Sequence, residues 1–109
     1  VILWLALAAV VRLYHPETID SMATSRHTHV RVSGVVTLVK READGDVHIR
    51  LDDKHGHFIV AEIVPYHPLP RPRFGQHIEV SGIRRFDDEY GHGWWEIHVL
   101  EQWRVVPAP

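Results

Sequence analysis

The chain has 109 residues, 45% of them apolar and 24% charged, which is the composition of one globular domain and excludes a disordered chain. Twelve Lys and Arg face fourteen Asp and Glu, a formal net charge of -2, so no general polyanion-binding surface is implied by the totals. Cysteine is absent, which excludes disulfides, thiolate metal sites and Cys nucleophiles and leaves the redox compartment open. Ten histidines are scattered along the chain, and this excess raises the question of metal chemistry.

Residues 1–13 open with VILWLALAAVV before Arg12. Eleven apolar residues are too few for a bilayer-spanning helix, which needs about 20. The run is expected to be helical, as the core of a signal peptide or part of a signal anchor, with residues 1–11 as a membrane tether. The bland alternative is a short helix packed on the domain. Residues 14–28 carry Pro16, Ser21, Thr24 and Ser25 and read as a linker. The folded unit is expected over residues 29–106.

The rest of the chain reads as five strands. Val30 to Val39 alternates, with Val30, Val32, Gly34, Val36 and Leu38 on one parity, and the interior glycine marks a bulge or bend. Asp44-Gly45 supplies a hairpin turn before VHIRLD, where Val47, Ile49 and Leu51 face inward. A third strand, FIVAEIV, follows the turn at 53–57. Four prolines in residues 65–73 exclude a helix or central strand there. HIEVSGIRRF and WWEIHVL are the last two strands, with Trp95, Ile97 and Val99 on one parity and Trp95 expected in the core. Trp103 to Val106 extends or caps the last strand. Five short strands with a bent first one predict an all-β, five-stranded OB-fold-like barrel. An SH3-like barrel is the competing architecture.

The strings that carry the chain's polar residues are Asp44-Gly45-Asp46 with His48, Val60-Ala61-Glu62, Gly75 with Ile78, Val80 and Gly82, Arg85 with Asp87, and His92-Gly93-Trp94 with Glu96-Ile97-His98. Over about residues 30 to 104 this pattern resembles a group of small bacterial OB-fold proteins of uncharacterised function that sit behind an N-terminal signal or anchor. The pattern's proline and valine after the last histidine are here Val99 and Leu100. The resemblance implies the OB fold and an extracytoplasmic place, periplasmic, secreted or membrane-anchored. It implies no activity.

Three functional readings follow. By fold analogy, an OB barrel binds oligomers across its second and third strands, and single-stranded nucleic acid is the default ligand. Arg50, Phe58, Arg85, Tyr90 and Trp94 are the expected ligand contacts, since stacking and positive charge are what such binding needs. Interleaved acids, Asp44, Asp46, Asp52, Asp53, Asp87, Asp88 and Glu89, oppose it, and the tryptophans also serve as barrel filling. The second reading is a divalent-metal site, zinc being the expected ion, from His48, Glu62, Glu96 and His98 on three neighbouring strands. Its bland counterpart is a cross-strand hydrogen-bond network. No other cofactor is expected. The third reading is a protein-interaction module at the cell envelope, using the stiff segment Pro65 to Pro72. No nucleophile elbow, phosphate loop, dinucleotide fingerprint or HExxH occurs, so the sequence carries no enzyme signature beyond a His–Glu pair on the last strand. Histidine titration near pH 6.5 should strengthen binding of any polyanion below about pH 6.

Overall fold

The computed structural model describes residues 13–108. The apolar segment expected over 1–13, including the proposed tether, lies outside the described residues except for Leu13. Six strands form: β1 (His15–Glu17), β2 (His29–Arg41), β3 (Val47–Asp52), β4 (Phe58–Ile63), β5 (His77–Asp87) and β6 (Trp94–Val105), with one 3-10 turn at Asp20–Ala23. The order is β1-β2-β3-β4-β6-β5, and β5 pairs back onto β2. The last pairing closes a five-stranded barrel from β2 to β6, as the alternation predicts. No helix joins β4 to β5; the prolines hold that connection extended.

The long β2 closes the barrel by changing partners. His29–Val35 pairs with β5, and Val35–Arg41 pairs with β3. A register shift at Thr37 lies between the pairs Val36–Leu51 and Leu38–Arg50. The expected parity therefore holds only up to Val36. Beyond the bulge Leu38 turns to solvent and Val39 packs against the core. Gly34 has a different task from the expected bulge. A Cβ there would lie 2.8 Å from Ile19 Cδ1 and 3.0 Å from Leu51 Cβ, so glycine is what lets the N-terminal turn close over the barrel.

That contact corrects the reading of 14–28 as a linker. β1 pairs in parallel with Val30–Val32, and Ile19 and Met22 are buried among the core valines and isoleucines. Thr18 and Ser21 hold the turn by reciprocal bonds, Ser21 N to Thr18 Oγ1 at 3.0 Å and Thr18 N to Ser21 Oγ at 2.9 Å. Polar residues that suggest a linker are here making a local cap.

The core runs through Val30, Val32, Val36, Val47, Ile49, Leu51, Ile59, Ala61, Ile78, Val80, Ile97 and Leu100. On β6 a second bulge breaks the expected Trp95–Ile97–Val99 face. Gly82 pairs with Leu100 and Arg84 with Ile97, so Ile97 and Leu100 point inward while Val99 is half-buried. A Cβ on Gly82 would meet Val99 O at 2.2 Å, which makes glycine obligatory at this crossing. Trp95 is half-buried at the core's margin, against Phe86 and the Arg84 guanidinium, not in the core as expected. Trp103 Nε1 donates to Pro70 O at 2.7 Å and pins the proline segment to the barrel.

Candidate functional site

Register assembles one outer face. His48, Arg50 and Asp52 on β3 lie opposite Glu62, Val60 and Phe58 on β4. β4 runs parallel to β6 with Val60 beside Glu96. β6 in turn pairs Glu96 with Arg85 and Trp94 with Asp87 on β5. The β2–β3 hairpin and the β5–β6 loop flank this face, which is the position of ligand-binding loops in an OB barrel.

One end of the face is a strip of stacked groups. The Arg50 guanidinium sits 3.9 Å over the Phe58 ring. Phe58 and Trp94 have centroids 6.3 Å apart, and His92 stacks on Trp94 at 4.2 Å. Arg50 also makes a two-point pair with Asp52, at 2.9 and 3.0 Å. Hydrogen bonding to Arg50 holds the Asp52 carboxyl below its usual range, helped by Thr37.

The other end is a cleft of about 490 Å³. Glu42, Ala43, Asp44 and Asp46 form one wall and Asp87, Glu89 and His92 the other; His48, Glu62, Arg85 and His98 form the floor. Six carboxyl groups thus face a single guanidinium, so the cleft favours cations over phosphates. The polar residues of the sequence pattern, from Asp46 and His48 to Asp87, His92 and His98, converge here.

Glu96, fully buried, is the anchor of the floor. Its Oε1 accepts from Arg85 Nε at 3.0 Å and from the guanidinium's terminal nitrogen at 2.6 Å, while Oε2 accepts from Trp94 Nε1 at 3.1 Å. Glu62 lies beside it, with Oε1 2.7 Å from His48 Nε2. Its Oε2 is buried and has no hydrogen-bond partner among the described residues when the group is ionised. Burial first, then the neighbouring Glu96, push the Glu62 carboxyl up to about 9, and the Arg85 charge opposes this without prevailing. At neutral pH the Glu62 carboxyl therefore holds its proton. At the rim, His92 Nδ1 is 2.5 Å from Asp87 Oδ2, and the Glu89 amide donates to Asp87 Oδ1 at 3.0 Å. Burial would raise Asp87, but the Glu89 amide and His92 outweigh it and hold the carboxyl below its usual range.

The sequence-derived residues divide accordingly. Arg50, Phe58 and Trp94 come together in the strip. Arg85 is clamped to Glu96 on the floor of the cleft with its side chain half exposed, and Tyr90 stands fully exposed on the β5–β6 loop. His48, Glu62, Glu96 and His98 do converge, but Glu96 has its lone pairs occupied by Arg85 and Trp94. The group whose ligand atoms approach one another, all within 4.8 Å, is Asp46, Glu62 and His98. Asp46 was absent from the expected set. Its signal was present, since it shares the parity of His48, Arg50 and Asp52.

No family model matches the chain, and no curated protein matches it in sequence. Solved structures do match in fold. The telomere capping protein Ten1 from Saccharomyces pombe superimposes with a TM-score of 0.61 at 14% identity, over 85% of this chain and 81% of Ten1. The hypothetical protein YgiW from E. coli gives 0.55 at 20% identity, covering 84% and 90%. The asparaginyl-tRNA synthetase of Entamoeba histolytica gives 0.67 at 13% identity, over 91% of this chain but only 25% of the synthetase. At these identities the likeness establishes an OB-type barrel and nothing about ligand or activity.

Proposed function

We propose that this barrel is an OB-type ligand-binding module that takes single-stranded nucleic acid along the Arg50–Phe58–Trp94 strip. The observation that carries the reading is the strip itself, a guanidinium and two aromatic rings in series on the face between the two flanking loops. Flat rings at that position are stacking platforms for unpaired bases. The fold shared with Ten1, a telomere capping protein also solved as a complex with Stn1, is in keeping with that reading.

The adjacent carboxylates define what kind of binding this is. The carboxyl groups of the cleft disfavour phosphates, and Arg50 is the cation within the strip that can receive one. Stacking supplies about 1–3 kcal/mol per base, so two platforms give a modest affinity. With about one phosphate neutralised, by Arg50, the slope of log K against log salt is about -0.7.

The test is a tryptophan-fluorescence titration of the full chain with a short single-stranded oligonucleotide at low salt. The reading expects saturable quenching, a shallow salt slope, and a roughly 5- to 150-fold loss in Phe58→Ala, which follows from about 1–3 kcal/mol per stacked base. Quenching that is unchanged by Phe58→Ala, or a slope of a strongly basic groove, contradicts it.

A further inference from the structure

We propose that the acidic cleft is a divalent transition-metal site in which Asp46, Glu62 and His98 supply the ligand atoms. This goes beyond the stacking strip and does not depend on nucleic acid.

The three residues come from separate elements that the barrel closure brings together: the end of the β2–β3 hairpin, β4 and β6. Their ligand atoms lie within 4.8 Å of one another. Zinc–oxygen and zinc–nitrogen bonds are about 2.0–2.2 Å, so ligand atoms around one tetrahedral ion are about 3.3–3.6 Å apart. The group closes onto an ion by a movement of up to about 1.5 Å, which a side-chain rotation of Asp46, half-buried at the hairpin's end, can supply.

A second observation points the same way. The Glu62 side chain is only 7% exposed, lines the cleft, and leaves Oε2 without a hydrogen-bond donor among the described residues. The nearest cation, the Arg85 guanidinium, is 3.8 Å away, beyond hydrogen-bond reach, so this oxygen is open to a metal ion that displaces the carboxyl proton. Its other oxygen is fixed by His48 Nε2 at 2.7 Å, and His48 Nδ1 is 3.4 Å from Glu42 Oε1. A carboxylate oriented by an imidazole is the kind of outer support that metal ligands have. His48 is accordingly a positioning residue in this site, not a ligand.

The alternative cluster, Asp87, Glu89 and His92, also has approaching ligand atoms. Its Asp87 oxygens are already taken by the His92 ring and the Glu89 amide. One imidazole and two carboxylates, with positions left for water, suit a borderline ion such as Zn²⁺ or Mn²⁺ better than Mg²⁺, and Zn²⁺ should bind more tightly than Mn²⁺.

The experiment is calorimetric titration of the full chain with ZnCl₂ or MnCl₂ alone, with MgCl₂ for comparison. One tight equivalent of Zn²⁺ is expected, weakened at least tenfold in His98→Ala and in Asp46→Asn. The double variant His55→Ala/His57→Ala, on the exposed turn, should bind within twofold of the parent. Mn²⁺ broadening of amide resonances in the unmodified chain gives a reading that no variant's folding can obscure. Asp46, Glu62 and His98 should broaden first. Binding unchanged in His98→Ala, binding lost in the His55/His57 variant, or broadening centred elsewhere overturns the assignment.

Discussion

Replacing Arg85 by Met removes the guanidinium that clamps Glu96, and the cost follows from what is left behind. Glu96 is fully buried, and its Oε1 loses both donors, at 3.0 and 2.6 Å, leaving Trp94 Nε1 on Oε2 as its remaining donor. Removing one partner of a buried pair costs about 3–5 kcal/mol, because the other charge stays desolvated. The Arg85 side chain is 46% exposed, so water can reach part of the vacated site and the lower end, about 3 kcal/mol, applies. For a domain of this size about 1 kcal/mol moves Tm by roughly 4–8 °C, so Arg85→Met should lower it by about 12–24 °C. Urea unfolding of Arg85→Met, Glu96→Gln and the double variant forms the cycle. The double variant should recover at least about 1 kcal/mol relative to the sum of the singles, since it leaves no buried charge. Additive single effects, or a loss below about 1 kcal/mol in Arg85→Met, refute the idea that this pair holds the floor of the site.

Three further outcomes are expected. Met22→Ala should cost about 2–5 kcal/mol by urea unfolding, because Met22 is fully buried in the core; a loss under about 0.5 kcal/mol would mean that residues 14–28 are a mere linker after all. Gly82→Ala should destabilise far more than Gly56→Ala, since the first forces a Cβ to within 2.2 Å of Val99 O while the second meets nothing within 4 Å and carries only the strain of its positive φ; equal thermal midpoints would contradict the crossing geometry. His57 is raised above 6.5 chiefly by its bond to Asp53, against some loss of hydration and with help from the Asp20 charge. A raised imidazole contributes stability that is complete below the unfolded value and fades as pH rises through the folded one. The Tm difference between the parent and His57→Ala should therefore be largest near pH 5.5 and shrink toward pH 8.5; a difference that grows with pH has the wrong sign.

Much of the barrel is legible in the sequence because period-two alternation survives wherever one strand face is buried. VHIRLD reads correctly for that reason, and Val47, Ile49 and Leu51 all face inward. Parity fails where a bulge inserts an extra residue, at Thr37 and near Gly82, because the bulge is fixed by barrel closure and not by local composition. The segment 14–28 was misread for a related reason. Two apolar residues, Ile19 and Met22, set among Ser and Thr look like a linker until a glycine on another strand makes room for them. The cleft was half legible: His48, Glu62 and His98 fall on adjacent strands by alternation alone. That Arg85 satisfies Glu96, and that Asp46 takes Glu96's place beside Glu62 and His98, depends on rotamers and hairpin geometry that spacing does not encode.

The most direct test of the proposed function is amide and side-chain NMR mapping of the full chain during titration with a short single-stranded oligonucleotide. The account predicts fast-exchange shifts concentrated at Arg50, Phe58 and the Trp94 indole, with the acidic wall formed by Asp44 and Asp46 little affected. Shifts centred on the basic proline segment at Arg71 and Arg73, or no shifts at millimolar oligonucleotide, would contradict it.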